Sequence, residues 1–213
     1  MHVDLNQKNL NIEILVKKAP LDEDTLRAIT QGILSKNDTV HFNSHKVLLM
    51  LAEQHPKSLD PYWEFLEELL ESKNDYQRYI AIQILANLSN SDYEHRFENL
   101  FDKYYDILSG KKTMVARQIV LCSGKIALAK PHLQSKITEK LFNIDKLHRG
   151  KQMELLKGDA LEAFDEFYEE AGNKEEIIEF AKNQLNSKST KTKKRAEKFL
   201  KKWERINPGP SLV

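Results

Sequence analysis

The sequence predicts an all-α protein, an α-solenoid of about five helix pairs preceded by one extra N-terminal helix. Three observations predict it. Ser35-Lys36-Asn37-Asp38 returns as Ser72-Lys73-Asn74-Asp75, 37 residues later; Ser109 follows after another 37 and Ser187 after 78, two steps of 39. A fixed period of this length marks an array of helix-turn-helix units. Each match stands between an amphipathic stretch and a second, more apolar one. The composition, 40% apolar and 31% charged with 7 Gly and 6 Pro in 213 residues, is that of a folded, helix-rich chain.

Ahead of Pro20, Leu10, Ile14 and Leu15 predict a capping helix over about 4–18. Leu26, Ile29 and Ile33 then mark the first helix of the first pair. Tyr62, Phe65, Leu66, Leu69 and Leu70 mark that of the second, with Asp60-Pro61 as its N-cap and first-turn pair. Phe97, Leu100, Phe101, Tyr104, Tyr105 and Leu108 serve the third, Leu133, Ile137 and Leu141 the fourth, and Ile177, Ile178, Ala181 and Leu185 the fifth. The second helices differ. "YIAIQILANL" (79–88) and "VARQIVLCSGKIALA" (115–129) are apolar on nearly every side, which requires neighbours on every side. An internal place in a stack supplies them. The last second helix, about 190–205, keeps only Ala196, Phe199, Leu200 and Trp203, the single stripe of a capping repeat. The turn around "DKLHRGKQ" departs from the period. Residues 1–207 read as one elongated repeat domain and 208–213 as a flexible tail.

Thirty-three Lys plus Arg nearly cancel 32 Asp plus Glu, so net charge points neither to nucleic acid nor to a membrane. The one cysteine, Cys122, excludes an internal disulfide and fits a reducing compartment. The start, "MHVDLNQKNL", lacks a basic segment followed by an apolar one, and the longest apolar run, Val47 to Ala52, is too short to span a bilayer. A cytoplasmic protein without a membrane partner is expected.

The residues that would carry chemistry are sparse. His41 and His45 have the four-residue spacing of two metal ligands on a helix, but "HFNSHKVL" offers no third. Cys122 has no adjacent histidine and reads as a buried, inert thiol. Asp159, Glu162, Asp165, Glu166, Glu169 and Glu170 gather carboxylates without a histidine, the pattern of a solvated face. Gly150, Gly158 and Gly172 are isolated and form no phosphate loop. No enzyme, cofactor or metal is expected.

The unit length, the paired helices and the second helix "NDYQRYIAIQILANL", with Asp75 at its start, Arg78 in its first turns and Ala81 before Leu85, resemble HEAT repeats of the armadillo-like α-solenoid family over roughly residues 20 to 205. Arg78, Arg117 and Arg195 fall on a 39-residue step that matches the second-helix arginine of HEAT units; His41 replaces it in the first unit and Leu156 in the fourth. The resemblance implies a ladder role for these arginines, and a scaffold that binds macromolecules along the face lined by second helices. It also brings in DNA glycosylases built from HEAT-like repeats, which use a catalytic aspartate flanked by tryptophans. Asp159 is the aspartate placed among apolar residues of a second helix, and neither Trp63 nor Trp203 lies near it in sequence.

Charge is distributed unevenly along the repeat. The first helix around Trp63 holds Asp60, Glu64, Glu67, Glu68 and Glu71 without a base, whereas the last helix carries Lys191, Lys194, Lys198, Lys201 and Arg205 as a continuous stripe, with Arg195 and Lys202 beside it. Those seven residues are the candidate partner-binding set. The stripe suits phosphates, an acidic protein segment, or the soluble coat of a capping helix. Phe199 and Trp203 belong to the buried stripe, so no aromatics interleave for base stacking. The expected function is a non-catalytic scaffold for a protein partner. The alternatives are non-specific nucleic-acid binding through the basic helix, or a relative of the glycosylases.

Overall fold

The computed structural model describes residues 3–206, without the side chains of 204–206, and every α or 3-10 element among them is helical. The expected tail, 208–213, lies outside the described residues. Contacts divide the chain into two compact units, Met1–Leu100 and Phe101–Val213, where the sequence reading takes one repeat domain. The first unit holds α1 (Ile12–Lys18), α2 (Glu23–Gly32), α3 (Asp38–Gln54), α4 (Trp63–Leu69), α5 (Asp75–Leu88) and the start of α6 (Arg96–Asp106). The second holds the rest of α6, then α7 (Thr113–Ala129), α8 (Gln134–Phe142), α9 (Ile144–Leu147), α10 (Met153–Phe167), α11 (Lys174–Gln184) and α12 (Thr190–Ile206).

The repeated word turns out to be a capped helix start at three of its four places; Ser109 instead donates to the Asp106 carbonyl, and α7 begins without a side-chain cap. Ser35 Oγ accepts the Asn37 amide at 3.1 Å, and the Asn37 side chain accepts the amides of Thr39 and Val40 at the head of α3. Ser72 and Asn74 repeat this at α5, at 3.1 and 2.9 Å. Ser187 and Ser189 do so at α12, where Ser187 Oγ accepts the Ser189 amide and Ser189 Oγ that of Thr192. In each case a side-chain oxygen satisfies amides that a helix start leaves unpaired. The degenerate turn before α10 uses distant contacts instead. The buried His148 ring nitrogen Nδ1 lies 3.1 Å from the Leu108 carbonyl, and Thr113 Oγ1 donates to the Lys151 carbonyl at 2.9 Å. Gln152 enters α10 with φ 63°, a left-handed conformation uncommon outside glycine.

Two expected helix starts need correction. The N-terminal helix starts at Ile12, not near residue 4, because the Asn11 side chain accepts the Ile14 amide and caps it there. Residues 5–7 run non-helically over α3, held by Asn43, whose Nδ2 donates to the carbonyls of both Leu5 and Gln7 at 2.9 Å. Asp60-Pro61 does not open α4 but lies within a 3-10 stretch, Pro56–Tyr62. The Asp60 carboxylate is instead 2.8 Å from Arg96, whose guanidinium covers the buried Trp63 ring at 4.4 Å.

In the first unit α3 packs on α1, α2 and α5, and α4 on α5. The predicted core positions Leu26, Ile29, Ile33, Leu66 and Leu69 are buried, and Ile80 to Leu88 of α5 are buried apart from Gln83. In the second unit α7 packs on α8 and α10, and α10 on α9, α11 and α12. Tyr104, Tyr105, Ile137, Leu141, Phe164 and Phe167 fill its core. Two glycines let α7, α10 and α12 approach closely. A Cβ on Gly124 would stand 2.6 Å from the Ala163 carbonyl oxygen, and one on Gly158 2.7 Å from Thr192 Oγ1. Leu185 departs from expectation and is exposed, since α11 ends at Gln184.

Candidate functional site

On α12 the apolar stripe faces inward as its spacing implies: Ala196, Phe199, Leu200 and Trp203 are buried, with Thr192 beside them. Tyr168 receives the rings of Trp203 and Phe199 at 4.6 and 5.4 Å, and the indole nitrogen donates to Asp165 at 2.6 Å. On the opposite side Lys191, Lys194, Lys198 and Lys201 are exposed and form no ion pair among the described residues. Two members of the candidate set are not on that stripe. Arg195 turns toward α10, with Nη1 2.5 Å from Asp159 and Nη2 2.6 Å from Glu162. Lys202 lies 2.7 Å from Asp165 and 4.2 Å from the Trp203 ring centre. Both cations are committed inside the unit, so the freely presented set shrinks to four lysines. The Arg205 side chain lies outside the described residues.

The arginine step has a structural partner that spacing does not reveal. Arg117 of α7 places Nε 2.5 Å and Nη2 3.1 Å from the two oxygens of Asp159, whose other close contact is Arg195 of α12. One fully buried carboxylate of α10 thus bridges guanidinium groups from the helices on either side. Asp159 sits one turn after Leu156, where the arginine step is vacant. Both of its oxygens face cations, so the residue gives no support to base-excision chemistry.

Cys122 is half-buried as a residue, but its sulfur accepts from Gln118 Nε2 at 3.1 Å, and burial pushes the thiol up to about 11. A thiol held protonated is a poor nucleophile. His41 and His45 are both engaged by neighbouring side chains. His45 Nε2 lies 2.7 Å from Gln83 Oε1, and both rings meet Tyr76 edge-on, His41 at 4.1 Å and His45 at 5.9 Å. Burial lowers both imidazole pKa values and favours the neutral rings. No group of three or more His, Cys, Asp or Glu able to hold a metal is found among the described residues.

Sequence reasoning missed the surfaces that the second helices leave uncovered. On α7, Met114 and Leu128 are 48% and 44% exposed, and Leu121, seven residues from each, is half-buried. Among the described residues a helix expected to be covered on every side therefore keeps one apolar line partly exposed. In the first unit Phe42 is 49% exposed on α3, with Leu49 half-buried two turns on, and Tyr76 and Tyr79 of α5 stack at 6.0 Å. The signal available in the sequence was the spacing of Tyr76, Tyr79 and Gln83, which interrupts an otherwise apolar helix at i, i+3 and i+7. A separate cavity of about 780 Å³ between α8 and α11 is lined by Phe142, Phe180 and four glutamates, Glu139, Glu175, Glu176 and Glu179.

No protein-family model matches the chain, and no curated protein matches it. Among solved structures the chain is similar to an engineered protein determined by crystallography, at 16% identity and a TM-score of 0.49, over 89% of this chain and 87% of that one. No helix among the described residues is long and apolar enough to cross a membrane.

Proposed function

We propose that the chain is an α-solenoid of HEAT-like helix pairs working as a non-catalytic scaffold in the cytoplasm, and that it binds a protein partner through the faces of its second helices. The observation that carries the reading is the line of exposed Met114 and Leu128 with half-buried Leu121 between them on α7, a helix whose Val115, Ala116, Ile119, Val120, Ile126 and Ala127 are buried. Single exposed apolar residues are ordinary, but a line of them on one helix is the composition of a protein interface. Phe42, Tyr76 and Tyr79 give the first unit an aromatic counterpart, and aromatic side chains are enriched where proteins meet. The cytoplasmic location rests on the single cysteine.

A second reading, non-specific nucleic-acid binding, is favoured by Lys191, Lys194, Lys198 and Lys201, whose ammonium groups are exposed and unpaired among the described residues. Four phosphate contacts would give a slope of log affinity on log salt of about −3 to −4.

Affinity capture from the native cell separates the two. The wild type retains a protein partner, Met114→Ala with Leu128→Ala and Leu49→Ala with Tyr79→Ala lose it, and Lys194→Ala with Lys198→Ala keeps it. Capture of nucleic acid instead, weakened only in the lysine variant, overturns the proposal in favour of the second reading.

A further inference from the structure

We infer that the first unit carries a groove for a short acidic peptide whose carboxylate neighbours a bulky apolar side chain. The inference rests on the scaffold reading and names the kind of segment bound at one place on it. A cavity of about 580 Å³ opens between the N-terminal segment and α3, lined by Leu10, Ile12, Phe42 and Tyr76 together with Lys8 and Lys46. That volume is within the range of small-ligand sites and accommodates a large side chain. Its wall is fixed, because Asn43 of α3 holds the carbonyls of Leu5 and Gln7 and so places the segment that follows. Gly32 serves the same packing: a Cβ there would stand 2.1 Å from Ser44 Oγ and 3.2 Å from Leu5 Cδ1.

Charge selects the occupant. Lys8 and Lys46 are exposed and have no carboxylate partner among the described residues; the Lys46 ammonium instead lies 4.3 Å from the centre of the half-exposed Phe42 ring. The acid of the lining, Asp38, stands in the first turn of α3, where the helix dipole already stabilises it. Two unpaired cations beside aromatic and aliphatic surface complement a carboxylate attached to an apolar anchor. His41 adds a ring nitrogen, Nε2, that is buried in the lining without a hydrogen-bond partner. A nucleic-acid strand, with a charge on every nucleotide, would need cations beyond this pair.

Selection of random seven-residue peptides on the full chain tests the inference. Enriched sequences should pair Phe, Tyr, Trp, Leu or Met with an adjacent Asp or Glu. A synthetic peptide from the selection, followed by fluorescence anisotropy, should bind Lys8→Glu with Lys46→Glu and also Phe42→Ala at least tenfold more weakly. The charge variant should keep its helical circular-dichroism signal, since both lysines are exposed. Absence of enrichment, enrichment of basic or uncharged sequences, unchanged affinity in the charge variant, or tighter binding of an oligothymidylate lost in that variant would each overturn the inference. If the groove variants leave the natural partner bound while Leu49→Ala with Tyr79→Ala releases it, the groove inference falls and the scaffold reading stands.

Discussion

Removing the Asn74 side chain leaves the Tyr76 amide without its acceptor at the head of α5. Asn74→Ala should therefore lower unfolding free energy by about 1 kcal/mol, whereas Lys73→Ala, one residue earlier and exposed, should change it by less than about 0.5 kcal/mol. Urea unfolding followed by circular dichroism measures both; equal effects would mean that the recurring letters matter for something other than the cap. The recurrence itself was legible in the sequence. Its meaning was not, because the serine and asparagine act through local geometry that spacing alone does not specify. The histidines next to Tyr76 give a pH test. Burial lowers the native pKa values of His41 and His45 below 6.5, so the unfolded chain takes up protons first as pH falls. Their contribution is fully present above 6.5 and is lost as pH drops through 6.5 toward the lower native values. The melting temperature should be lower at pH 5 than at pH 7.5, and His45→Gln should reduce that difference; an equal difference in the variant would contradict the assignment.

Helix α10 is where the second unit's packing is tightest, since Gly124 of α7 and Gly158 of α10 admit the neighbouring helices at distances a methyl group would violate. Gly124→Ala meets a backbone carbonyl oxygen at 2.6 Å, which cannot rotate away, and should cost about 1 to 3 kcal/mol by chemical denaturation despite the better helix propensity of alanine. A stabilised variant would show that α7 and α10 stand further apart. On α12 the two sides should respond oppositely. Trp203→Ala removes a buried ring packed on Tyr168 and should cost about 3 to 5 kcal/mol, while Lys194→Ala with Lys198→Ala should change stability by only tenths. The inner side of α12 was legible because burial imposes the i, i+3, i+4, i+7 spacing. The commitment of Arg195 and Lys202 was not, because their acceptors, Asp159 and Asp165, lie 36 and 37 residues earlier and only tertiary packing brings them within reach. The start of α1 differs from the pattern for a related reason: Leu10 continues a helical apolar spacing, but Asn11 caps the helix after it.

The chain has 33 basic against 32 acidic residues, so its surface behaviour depends on where charge and apolar area are left uncovered rather than on their totals. Composition and the repeat were enough to reach an all-helical protein. They could not reveal which face of an apolar helix stays exposed, since α5 and α7 read alike in sequence while α7 carries the exposed Met114 and Leu128. The same limit hid Phe42 and the paired tyrosines of the first unit. The claim that the second helices bind a partner is tested most directly by hydrogen exchange on the full chain, with and without the protein captured from its native cell. Exchange is predicted to slow in α3, α5 and α7 and to stay unchanged in α12. Protection confined to α12, or produced by nucleic acid in place of a protein, would contradict it.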